Sequence, residues 1–190
     1  SIKDRAALSM IIDGIKKEKL TKNKTIMDSS SGNTAIAYAM IGAALGFKVE
    51  LVTPENINIE RKKTLQAYGA KIIYSSPFEG SDGAILEARK LAKNFSDKYF
   101  MPDQYNNIAN PLAHYQTTGP EIWEQTNGKI THLISGIGTS GTVMGAGEYL
   151  KSKNKKIQII GVQPDEALHG LEGLKHIPSS ITPGIYNENK

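Results

Sequence analysis

The run Gly136-Ile137-Gly138-Thr139-Ser140-Gly141-Thr142 interleaves glycines with hydroxyl side chains between an apolar stretch, His132–Ser135, and a helix-like stretch reaching Tyr149. Glycines let the backbone turn inward, so that successive N–H groups and a helix N-terminus can cradle a phosphate. Thr139, Ser140 and Thr142 add hydroxyl donors. The same glycine spacing suits a dinucleotide site, which wants an acidic residue after the next strand, about 20 residues on. Asp165 and Glu166 arrive late and behind Pro164. Phosphate binding is therefore a better reading than a dinucleotide site or a plain tight turn. A second segment, Ser29-Ser30-Ser31-Gly32-Asn33-Thr34, offers small hydroxyl or amide side chains at five of its six positions, ahead of the Ala-rich stretch Ala35–Leu45. One helix cap needs one such residue. The surplus suits a carboxylate or a phenolic oxygen, and read alone the segment fits a cap and an anion cradle equally. A third segment, Ser1-Ile2-Lys3-Asp4-Arg5, puts a lysine at the start of a helix-like stretch with Leu8, Ile11, Ile12 and Ile15 on or near its apolar side. A lone lysine is ordinarily a solvated surface group.

These segments are positioned by an alternation of short β-branched runs with longer helical patterns. Thr25–Asp28, Lys48–Val52, Lys71–Tyr74, His132–Ser135 and Ile157–Val162 read as strands, which predicts an α/β fold with a parallel sheet covered on both faces. Asn110-Pro111 reads as an N-cap followed by proline at the first helical position, and Gly69 and Gly128 stand where helix C-terminal caps belong. The polar segment Asn106–Pro111 separates two strand groups, so a domain boundary is expected there, giving domains over 1–107 and 108–190. Neither internal repeats nor low-complexity segments are seen.

Composition narrows the function classes. A chain of 190 residues that is 39% hydrophobic predicts a soluble globular protein. No apolar run approaches the roughly 20 residues that cross a bilayer, and the N-terminus lacks the pattern of a secretory leader, so neither a membrane nor a secreted protein is expected. The absence of cysteine excludes a disulfide scaffold and thiolate metal sites, and a cytoplasmic location is the default. The formal charge of +4 includes a cluster at Lys151, Lys153, Lys155 and Lys156. Without interleaved aromatics it reads as a solvated helix end rather than a nucleic-acid surface. His114, His132, His169 and His176 have no metal-type spacing with carboxylates and read as structural.

Taken in order, the three segments resemble the cysteine synthase family, which includes the cystathionine β-synthases and lies within the tryptophan-synthase-β class of pyridoxal-phosphate enzymes. That family's Ser-Val-Lys-Asp-Arg, Thr-Ser-Gly-Asn-Thr-Gly and Gly-Thr-Gly-Gly-Thr motifs fall on Ser1–Arg5, Ser30–Ala35 and Gly138–Thr142. Tyr68-Gly69-Ala70, Gln104-Tyr105-Asn106-Asn107 and His114–Trp123 extend the likeness, the last toward bacterial cysteine synthases. Ser30, Ala35 and Ser140 replace a threonine and two glycines of the family pattern, all with small side chains; His169–Tyr186 matches only loosely.

The resemblance implies fold type II: two three-layer α/β/α domains with mainly parallel sheets, the second incomplete here. It implies that Lys3 is the Schiff-base lysine of pyridoxal 5'-phosphate and the catalytic base. Asn33 would meet the ring oxygen, and Gly138, Thr139, Ser140, Gly141 and Thr142 would hold the phosphate. Ser30, Ser31, Gly32, Thr34 and Gln104 would receive the substrate carboxylate. The implied reaction is β-replacement on O-acetylserine, or a related activated serine, by sulfide or a thiol to give L-cysteine, in a homodimer when full length. A serine/threonine dehydratase on the same fold is one alternative; a non-catalytic nucleotide-binding or regulatory module, or an inactive fragment, is another. The family pattern starts before the lysine and runs on past Lys190 to a serine or threonine at the pyridine nitrogen, so this stretch by itself is expected to be a poor or inactive catalyst.

Overall fold

The computed structural model describes residues 1–189, and the chain divides into two compact units, Ser1–Asp103 and Gln104–Lys190. In the first unit, four parallel strands lie in the order β3-β2-β1-β4: β1 is Thr25–Ser29, β2 Val49–Pro54, β3 Lys71–Ser75 and β4 Tyr99–Phe100. The helices are α1 (Lys3–Lys16), α2 (Asn33–Leu45), α3 (Ile59–Ala67) and α4 (Gly80–Asn94). The chain moves outward from β1 to β3 and then returns to the far side of β1. Right-handed crossovers therefore place α4 on the face opposite α2. The packing follows that rule. Met27, Val52 and Tyr99 meet Ala84 and Ala88 of α4, whereas Asp28 on the other face of β1 receives a hydrogen bond from Tyr38 of α2 at 2.9 Å. Every residue of β1 is buried, as a strand covered on both sides requires.

The helix predicted after Lys3 forms, but it buries a different stripe. Ala6, Ala7, Met10, Ile11 and Gly14 face inward, while Leu8 and Ile15 are exposed. Small residues win the inner face because the helix sits close: a Cβ at Gly14 would lie 2.3 Å from Phe100 Cζ. Asn58 caps α3 by accepting from the Glu60 and Arg61 amides, and Gly69 follows its end at φ +78°, the left-handed conformation that favours glycine. The two-residue strand β4 is absent from the sequence reading. It is held to its sheet by side chains as well as ladder bonds: the Tyr99 hydroxyl donates to Glu50 of β2 at 2.6 Å, and Lys98 donates to the Tyr99 oxygen at 2.6 Å.

In the second unit, α5 (Ala109–Ala113), one π-helical turn (His114–Thr118) and α6 (Gly119–Gln125) run on without a break. Two parallel strands follow, β5 (His132–Gly136) and β6 (Gln158–Val162), joined through α7 (Gly141–Lys153). The predicted cap at Asn110 is not one, because α5 starts one residue earlier, at Ala109. Asn107 instead accepts from the Ala109 amide through its side chain and from the Asn110 amide through its carbonyl. α5, the π turn and α6 all pack on α7, where glycines admit close approach: a Cβ at Gly145 would lie 1.9 Å from the Pro111 carbonyl oxygen. Lys151 and Lys153 occupy the last turn of α7, where positive charge complements the helix dipole. No helix among the described residues is long and apolar enough to cross a membrane.

Candidate functional site

In the first unit the loop after β1 stands beside the point where strand order reverses, between β1 and β4. Crevices at such switch points are where open parallel sheets bind ligands. Ser30 accepts hydrogen bonds from the Gly32 and Ala35 amides at 3.3 and 3.2 Å. Those bonds occupy its oxygen and leave its proton to donate outward. Gly32 precedes α2 with no side-chain cap, and Asn33 and Thr34 open the helix. A Cβ built on Gly32 meets nothing within 4 Å. Asn33 is exposed, Ser31 half-buried and Thr34 buried. The result is a helix start lined by hydroxyl and amide groups, a donor set that suits a carboxylate. Lys3 lies in the first turn of α1, the helix that packs against α2. Burial pushes its ammonium below the ordinary lysine value, because a desolvated amine favours its neutral form.

In the second unit β5 delivers the chain into the glycine–hydroxyl loop, and α7 begins at Gly141 with no side-chain cap. Ser140 takes a left-handed conformation, φ +69°. Followed by a helix, that geometry turns successive N–H groups toward one point. The Thr139 oxygen accepts from Asn110 Nδ2 at 3.1 Å and from the Gly141 amide at 3.4 Å, again leaving the hydroxyl proton to donate. Asn110 Nδ2 also donates to the Gln104 carbonyl at 2.8 Å, so one buried amide braces both the loop and the buried Gln104. The Ser140 hydroxyl is spent on the Thr139 carbonyl, which leaves its backbone as the useful part. Gly138 and Gly141 are sterically required: a Cβ would lie 2.2 Å from the Gly173 carbonyl oxygen at the first and 2.0 Å from Asn110 Oδ1 at the second.

Two residues of this loop's support were missed in the sequence. Asn110 looked like a cap, and His114 looked structural although its Nε2 lies 3.3 Å from the Thr142 hydroxyl. Neither spacing carries a signal for such a contact across 28 or 29 positions.

Each unit by itself carries groups that suit one part of pyridoxal phosphate. Amides and hydroxyls at the start of α7 suit a phosphate, and an amine held toward its neutral form suits covalent attachment of an aldehyde. The family model described as pyridoxal-phosphate dependent enzyme matches residues 1–189. The chain belongs to that family. Pyridoxal phosphate is the cofactor on which the family depends. The chain is 55% identical over 188 residues to a cysteine synthase of Aquifex aeolicus, covering 99% of this chain and 58% of that protein. It is 42% identical over 187 residues to cysteine synthase B of Escherichia coli, covering 98% and 61% respectively. Its fold matches the crystal structure of cysteine synthase from Entamoeba histolytica with a TM-score of 0.91 and 37% identity, over 100% of this chain and 57% of that one. The chain thus spans about three-fifths of the length of these relatives.

Proposed function

We propose that this chain is part of a pyridoxal-phosphate enzyme that makes L-cysteine by β-replacement, from O-acetylserine or a related activated serine and sulfide. The observation that carries the reading is Lys3: a lysine in the first turn of α1 whose burial lowers its pKa, in a chain 55% identical to a cysteine synthase. When bound, pyridoxal phosphate supplies an electron sink for charge released at the substrate α-carbon.

The residues of this chain do the positioning and the proton transfer. Lys3 would be the attachment point for the cofactor's aldehyde and the base that takes the proton from the substrate α-carbon. A lowered pKa is what that role needs near neutral pH. Gly138, Thr139, Gly141 and Thr142, with the Ser140 backbone, hold the phosphate through N–H and O–H donors. Asn33 donates to the ring oxygen. Ser30, Ser31, Gly32 and Thr34 receive the substrate carboxylate at the start of α2, and Gln104 assists. Ser30 suits that task because its oxygen already accepts two backbone amides, and its O–H remains a donor for the carboxylate.

The test uses the intact cofactor-loaded protein. Borohydride reduction followed by peptide mass spectrometry is expected to place the adduct on Lys3; an adduct on another lysine refutes the assignment. O-acetylserine and sulfide together are expected to yield L-cysteine. Release of a keto acid without sulfide-dependent cysteine formation would make the protein a dehydratase instead.

A further inference from the structure

His114 is 1% exposed and has no part in the roles proposed above. Its imidazole sits between two hydroxyls, with Nδ1 2.9 Å from Thr118 Oγ1 and Nε2 3.3 Å from Thr142 Oγ1. The π-helical turn His114–Thr118 presents the ring to the first turn of α7. A Cβ on Gly145 of α7 would lie 2.9 Å from His114 Cβ, so His114 packs directly against that helix.

A neutral imidazole has one donor and one acceptor nitrogen. If Nδ1 carries the hydrogen, it donates to Thr118, and Nε2 must accept the single proton of Thr142. The Thr142 hydroxyl then presents only lone pairs to a ligand at the start of α7, which repel an anion. If Nε2 carries the hydrogen, Thr118 donates into Nδ1 and Nε2–H donates to Thr142. The Thr142 proton is then turned outward. A phosphate dianion selects the second arrangement, since each state is favoured by whatever ligand it binds better.

We infer that His114 is a positioning residue: paired through Nδ1 with Thr118, its Nε2–H tautomer fixes the Thr142 hydroxyl as a donor to the phosphate of bound pyridoxal phosphate. The inference rests on the phosphate reading of Gly138–Thr142. It goes beyond that reading by assigning a buried histidine the control of a hydroxyl proton, with Thr118 as its outer support.

The experiment measures pyridoxal phosphate retention by equilibrium dialysis on the intact protein, together with 15N NMR of labelled histidine in the loaded state. His114 is expected to show a protonated Nε2 and an unprotonated Nδ1; the reverse tautomer overturns the inference. His114→Leu is expected to weaken retention about tenfold, the scale of one hydrogen bond to a charged group. His114→Gln, which keeps an N–H near the Nε2 position, should recover most of that loss, and no recovery would count against the proposal. In a Thr142→Val background, His114→Leu should add nothing further. An additive loss would assign His114 a merely structural role. Should His114→Leu fail to fold, the tautomer and the His114→Gln measurement still decide. Retention unchanged in both Thr142→Val and Gly141→Val would overturn the phosphate reading itself. Loss in Thr142→Val with none in His114→Leu would overturn the inference alone.

Discussion

The two units build parallel sheets in different ways. In the first, the inner strands β1 and β2 are covered by α4 on one face and α2 on the other, and the residues of β1 are all buried. In the second, α7 covers one face of two strands, while Ile134, Ile160 and Val162 on the outer face are 65%, 41% and 43% exposed. The first unit therefore takes its stability from its sheet. The second takes it from the helix packing in which α5, the π turn and α6 close on α7, and that packing also shapes the phosphate loop. A ligand loop can hang from a covered sheet, as after β1, or from a helix held by its neighbours, as before α7.

The largest effect should come from the centre of the covered sheet. Leu51 of β2 is fully buried, and Leu51→Ala is expected to cost about 2–5 kcal/mol, through lost transfer energy and the cavity left behind. Urea unfolding followed by circular dichroism measures it. A loss below about 1 kcal/mol would mean that the sheet is not the principal support of the first unit.

Next comes the helix packing of the second unit. Gly145→Ala would press a methyl against the Pro111 carbonyl, a contact with backbone that cannot rotate away. A cost of about 1–3 kcal/mol is expected, accompanied by weaker cofactor retention, since α5 carries Asn110, which braces Thr139. A stable variant with normal retention would separate the helix packing from the loop it is said to support.

Much of this was legible in the sequence, for physical reasons that also explain the gaps. The strands β1, β2, β3, β5 and β6 lie within one or two residues of their expected limits, because their β-branched runs are set off by helical patterns. β4 was missed because two residues show no periodicity, and its hold depends on Glu50, 49 positions away from Tyr99. The π turn has the composition of an α-helix, so His114–Thr118 gives no sign of the wider turn that brings His114 toward Thr142. The glycine–hydroxyl loops were readable because they concentrate unusual residue types in a few positions. Their supports, Asn110 and His114, were not, because a single polar residue on a helix looks the same whether it braces a loop or caps an end.

Lys3 offers a pH-dependent test of the first unit. Burial lowers its pKa, so between that lowered value and the ordinary lysine value of about 10.4 the unfolded chain binds more protons than the folded one. Stability then rises with pH across that window, and below it the folded state bears the full cost of the buried ammonium. Lys3→Met should therefore stabilise the cofactor-free protein most below the window, and the advantage should shrink as pH rises through it. Urea midpoints at a series of pH values measure the difference. A constant difference would show that the ammonium stays solvated.

The smallest effect is expected on the open face of the second unit. Ile134 stands in the middle of β5, in register with Ile160 of β6, and its 65% exposure means that folding removes little of its side chain from water. Ile134→Thr keeps the branch at Cβ that favours a strand, so the substitution reports burial with little change in backbone preference. If the face is open in solution, losing the remaining apolar contact should change stability by no more than about 0.5 kcal/mol, the range of ordinary surface substitutions. The same substitution at the covered position Leu51 would introduce a buried hydroxyl and should cost several times as much. A loss of about 2 kcal/mol or more at Ile134 would mean that the face is covered in solution. Unfolding at two protein concentrations would then tell whether a second copy covers it, because only an association-linked loss depends on concentration. A small, concentration-independent effect keeps the contrast between a sheet stabilised from both sides and one carried by the helix beside it.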